Sequence, residues 1–196
     1  MKHIKRLRAG FTFVELIVSV AIILIISSIV LFQYKEYNND VTLKGISNEI
    51  ALALREAQVY ATSGREFKPN TNVFKLQYVL LFDKANKSYS LYGDADGDGQ
   101  VVADQASEIL VNYTLRPGYT MDLCMKNTEE GNCINANQTT LFVGFPYKDF
   151  QATIKQSDTV PNDPSIKFAE IIIYKIGQTP LQGVSVRIES TGLIEN

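Results

Sequence analysis

Three sets of residues in this 196-residue chain have the types and spacing to do chemistry. The first is Gly10-Phe11-Thr-Phe-Val-Glu15-Leu, which opens an apolar run from Phe11 to Phe32 whose one charge is Glu15. A carboxylate inside such a run is costly in lipid, so its presence calls for a function. The second is Asp94-Ala-Asp96-Gly-Asp98-Gly99, followed by Asp104: alternating carboxylates with a glycine in sixth place, the way a short loop wraps oxygen ligands around Ca²⁺. The twelfth position is Gln105 where an EF-hand needs Glu, and the preceding Tyr89-Ser-Leu-Tyr92 reads as strand. A calcium loop outside the EF-hand pattern and a plain Asp/Gly turn both remain open. The third is Cys124 and Cys133, with eight residues of polar segment between them, a disulfide or two buried thiols.

The elements that must position these residues follow from periodicity. A helix of 22 residues spans roughly 33 Å, enough for a bilayer core. Ten residues precede it, with Lys2, Lys5, Arg6 and Arg8 and no acid. A cleavable secretory signal carries its small-residue site after a shorter apolar stretch, whereas Ala9-Gly10 stands before this one. A plain membrane anchor accounts for the basic leader but not for Glu15. From Gln33 to Thr62 there is no proline, and Ile46, Ile50, Leu54 and Ala57 share one helical face. The expectation is one helix over about 12–62, stopped by Gly64, with no break at Phe32.

The remainder reads as strands. Phe74, Leu76, Tyr78, Leu80 and Phe82 alternate with Lys75 and Gln77, and residues 83–87 form a turn before a returning strand at 89–92. Further strands are expected at 108–115 and 141–145. A final hairpin joins 168–176 to 184–188 across Gly177–Gly183, after a surface loop marked by Pro161, Asn162 and Pro164. The fold class is α+β: a long N-terminal helix packed on an antiparallel β head, divided as 1–10, 11–32, 33–64 and 65–196.

The N-terminal segment resembles the class III leader of type IV prepilins and pseudopilins. The resemblance implies cleavage between Gly10 and Phe11 by a prepilin peptidase, N-methylation of Phe11, and pairing of Glu15 with the N-terminal ammonium of a neighbouring subunit. It implies other pilin subunits and an inner-membrane assembly platform as partners. It also places the protein in the cytoplasmic membrane by a single pass, head outside, before assembly. Outside the cytoplasm a Cys124–Cys133 disulfide would persist. Leu52-Ala-Leu-Arg-Glu-Ala57, the Asp/Gly turn near residue 95 and Val184-Ser-Val-Arg-Ile-Glu-Ser-Thr-Gly192 look most like the H-type minor pseudopilins and the minor pilins of DNA-uptake systems.

Charge and composition narrow the function. Of 19 basic residues the leader holds four, so a chain cut after Gly10 has 15 against 21 acids, a net of −6. That balance disfavours nucleic acid as the main partner. A DNA-binding head would have to gather Lys126, Lys148, Lys155, Lys167, Lys175 and Arg187, which the sequence scatters among acids. The single histidine, His3, lies in the leader, so an enzyme would lack the usual general base, and the expectation is no enzyme and no cofactor unless Ca²⁺ binds at Asp94–Asp104.

Overall fold

The computed structural model describes residues 10–67, 74, 76–94, 108–129, 131–134, 138–156 and 163–196, apart from the side chains of 32, 33, 35 and 36. Helix α1 runs Phe13–Ser63 and is helical through Phe32. The chain divides into two compact units, one up to Val41 and one from Thr42 to Asn196. In the first, no side chain of Phe13–Leu31 is buried.

Among the described residues, the second unit holds the rest of α1 and nine strands: β1 (Tyr78–Asp83), β2 (Ser88–Gly93), β3 (Ile109–Thr114), β4 (Tyr119–Lys126), β5 (Thr140–Phe145), β6 (Thr153–Lys155), β7 (Phe168–Lys175), β8 (Val184–Glu189) and β9 (Ile194–Glu195). They form two antiparallel sheets, ordered β3-β2-β1-β5-β6 and β4-β7-β8-β9. One core joins both to the helix. Ile46, Ile50, Leu54 and Ala57 are all buried, as their spacing predicts, together with Tyr78, Leu80 and Phe145 of the first sheet and Met121, Ile171 and Ile188 of the second. Alanines at 53, 57 and 61 keep this helical face low, so two sheets can approach it.

The helix ends as the sequence predicts. Gly64 takes φ +63, and the Arg65 amide donates to the Tyr60 carbonyl at 3.3 Å, a left-handed cap that only glycine enters without strain. The Lys148 amide then donates to the Ala61 carbonyl, so the last turn is tied to the β5–β6 connection. Aromatic contacts bind the helix to the first sheet. Tyr60 meets Tyr78 edge-on at 5.6 Å between centroids, Tyr89 stacks between Phe82 and Tyr113, and the Tyr60 and Tyr113 hydroxyls donate to the Glu56 carboxylate.

Two strand expectations change. The alternation beginning at Phe74 enters the sheet only at Tyr78, because pairing with both β2 and β5 ends there. Nor is β1 half-buried: Val79 and Leu81 of its second face pack with Tyr92 and Phe142 in a separate buried cluster. Strand β4 was not expected at all, although Tyr119, Met121, Leu123 and Met125 alternate inward. The strands at 108–115 and 141–145 and the β7–β8 hairpin lie within a residue of expectation. Residues 161 and 162 of the expected surface loop lie outside the described residues.

Candidate functional site

Glycine 10 and Phe11 are exposed, and Thr12 caps the helix. Its hydroxyl oxygen accepts from the Glu15 amide at 3.2 Å, and its carbonyl accepts from the Leu16 amide at 3.2 Å. That is the geometry of an N-cap satisfying one of the orphan donors of the first turn. Glu15 is thereby the third helical residue, where a carboxylate also interacts favourably with the helix dipole. Its side chain is exposed and makes no hydrogen bond or ion pair among the described residues. The role of Thr12 escaped the sequence reading, although Thr-x-x-Glu at the head of an apolar run is a helix-start signature.

Below this cap the helix is suited to lipid. Phe13–Leu31 is long and apolar enough to cross a membrane by itself, at about 28 Å for 19 residues. Of its three polar side chains beyond Glu15, those of Ser19 and Ser28 are satisfied internally. The Ser19 hydroxyl donates to the Glu15 carbonyl and the Ser28 hydroxyl to the Leu24 carbonyl, each at 2.8 Å, which removes the cost of a bare hydroxyl in hydrocarbon.

The other expected sites lie in the second unit. Cys124, in β4, is joined to Cys133 by a disulfide with 5.1 Å between Cα atoms, and the Ile134 amide donates to the Met125 carbonyl just beyond it. Asp94 follows β2, is buried, and donates its backbone amide to the Gln77 carbonyl at 3.0 Å. Asp96, Asp98 and Asp104 lie outside the described residues, as does the leader before Gly10. Among the described residues, no group of three potential ligands could hold a metal ion.

Several cations of the second unit meet acids. Lys126 pairs with Glu170 at 2.8 Å, and Arg187 pairs with Glu129 and Glu189 while lying 4.0 Å over the Phe168 ring. Arg116 pairs with Glu49 of the helix, and Lys84 with Asp122.

Residues 5–31 match the family described as the prokaryotic N-terminal methylation motif. No curated protein and no solved structure matches the chain. The matched segment contains the Gly10–Phe11 junction, the Thr12 cap, Glu15 and the apolar helix, and behind it stands an α+β pilin-like arrangement. The match covers the N-terminal segment: a methylation motif consistent with type IV prepilins and pseudopilins, on a helix long and apolar enough to cross a membrane.

Proposed function

We propose that this protein is a minor pilin or pseudopilin, cut between Gly10 and Phe11, methylated on Phe11, and assembled as an initiating, tip or accessory subunit of a type IV pilus or a type II secretion pseudopilus. The observation that carries the reading is Glu15: a carboxylate in the first turn of a fully exposed apolar helix, without a partner among the described residues, five residues past Gly10. In lipid an isolated carboxylate and an isolated ammonium each cost several kcal/mol, and bringing them together offsets both. The ammonium created by cleavage at Phe11 of a neighbouring subunit is the counter-charge the reading supplies. The helix then serves twice, first as anchor and then as filament core.

The test is intact-mass and N-terminal analysis of the chain co-expressed with a prepilin peptidase, beside Glu15→Ala. A mature chain starting at methylated Phe11, with Glu15→Ala cut but absent from sheared filaments, supports the reading. An uncut chain, or a cut beyond Phe32, refutes it. A nucleic-acid-binding head has less support, since Lys126 and Arg187, two of the six cations it needs, are committed to carboxylates.

A further inference from the structure

The helix half within the second unit has an outward face as well as an inward one. Leu52 and Val59, seven residues apart and therefore on one face, are each more than half exposed. Beside them lies Leu193, between β8 and β9 and also more than half exposed. Gln58 ties these parts together: its side-chain amide donates to the Phe150 carbonyl at 3.3 Å and to the Gly192 carbonyl at 3.2 Å. Phe150, whose backbone carbonyl accepts one of those bonds, has an exposed side chain as well. Between helix and tail runs a groove of about 370 Å³ lined by Arg55, Gln58, Val59, Gly192, Leu193 and Ile194.

Two properties of this groove point to a protein partner. Large apolar side chains exposed within a concavity, here Val59 and Leu193, mark docking surfaces, whereas scattered ones do not. The charge at its rim is a cation without a counter-ion: Arg55 makes no ion pair or hydrogen bond among the described residues, unlike Lys84, Arg116, Lys126 and Arg187. An apolar groove with one unsatisfied guanidinium fits an apolar side chain flanked by a carboxylate, because a guanidinium binds a carboxylate through two parallel hydrogen bonds.

We propose that this groove seats an apolar side chain of a neighbouring filament subunit, with a carboxylate of that subunit meeting Arg55. The inference rests on the filament reading above and names the head surface through which the subunit contacts its neighbour.

The experiment uses the full-length chain in cells that assemble the filament. A photoreactive benzoylphenylalanine is placed at Val59, at Leu193, or at Leu181, which is 97% exposed in the β7–β8 connection and outside the groove. Cross-links from positions 59 and 193 to another pilin-like subunit, with none from 181, are expected. Leu193→Asp should lower incorporation into sheared filaments about tenfold, the loss typical of a central interface residue; Arg55→Glu should lower it too, by setting a carboxylate against a carboxylate, while Leu181→Asp leaves it unchanged. Arg55→Glu alters only a surface charge, and resistance to protease confirms that each head is folded. Incorporation of both groove variants at the parent level, or cross-links from 59 and 193 to lipid alone, overturns the groove proposal. The mass of the mature chain and its presence in filaments report the filament reading separately: a cleaved, filament-borne protein with indifferent groove variants refutes the groove and leaves that reading standing.

Discussion

Gly192→Ala should loosen the seam between helix and C-terminal hairpin by an amount that a double-mutant cycle can divide. Gly192 takes φ +88, a left-handed conformation that costs an L-residue about 1–2 kcal/mol. A methyl group there would press into the Phe150 carbonyl oxygen and come within 2.9 Å of the Gln58 side-chain nitrogen. The turn must shift, and the two hydrogen bonds of Gln58 go with it. Each contributes roughly 0.5–1 kcal/mol, since both join neutral groups. Gly192→Ala is therefore expected to cost about 2–4 kcal/mol and Gln58→Ala about 1–2. In the double variant the bonds can be lost only once, so the two effects should fall short of additivity by about 1–2 kcal/mol. The chain has no tryptophan and ten tyrosines, so urea unfolding of the full chain in mild detergent is best followed by near-ultraviolet tyrosine signals. An additive cycle, or a Gly192→Ala variant within about 0.5 kcal/mol of the parent, would refute the reasoning.

Other outcomes follow from the same packing. Leu54→Ala removes a fully buried side chain where helix and both sheets meet, and should cost about 2–5 kcal/mol, read as a lower urea midpoint with an unchanged slope. Replacing Cys124 and Cys133 together by Ala should cost about 2–3 kcal/mol, visible as a drop in Tm, and the reduced parent should behave alike. Burial raises the pKa of both Tyr78 and Tyr89. Nearby Glu49 and Tyr113 add to the shift at Tyr89, and Arg65 opposes it at Tyr78. Since the native state holds these protons above the usual value near 10, their contribution is complete below about pH 10 and is lost as the pH rises beyond it. Melting at pH 9 and pH 11, alongside phenolate absorbance, checks the sign: rising stability over that interval would refute it.

Where one face decides, the sequence was readable. Ile46, Ile50, Leu54 and Ala57 follow the helical period and are all buried, and Gly64 stops the helix through a conformation few other residues adopt. The N-terminal methylation motif was legible for the same reason, since a carboxylate and a glycine stand out against an apolar run. Strand β4 was obscured by Asp122 and Thr120, which break the apolar impression although they lie on its outward face. The period at Phe74–Gln77 misled in the opposite sense, because alternation reports a pleat but not whether a partner strand is present. Pattern alone also could not show the groove at Val59 and Leu193, whose two sides are more than 130 residues apart in the chain and are brought together by Gln58.

The position of the disulfide affects how the head is built. Residues 127–139 connect β4, in one sheet, to β5, in the other. With Cys133 bonded to Cys124 and Ile134 hydrogen-bonded to Met125, that connection is fastened to β4 as far as Ile134, leaving five residues before β5. Shortening a tether from thirteen residues to five lowers the entropy cost of closing it by about 0.8 kcal/mol. At room temperature that corresponds to roughly a fourfold gain in how often β5 meets the sheet that holds β4. An oxidant acting before the sheets come together therefore hastens their meeting, and one acting afterwards only locks the result. The order of oxidation and docking becomes a variable of biogenesis, set by where the chain emerges and by how soon its thiols find an electron acceptor.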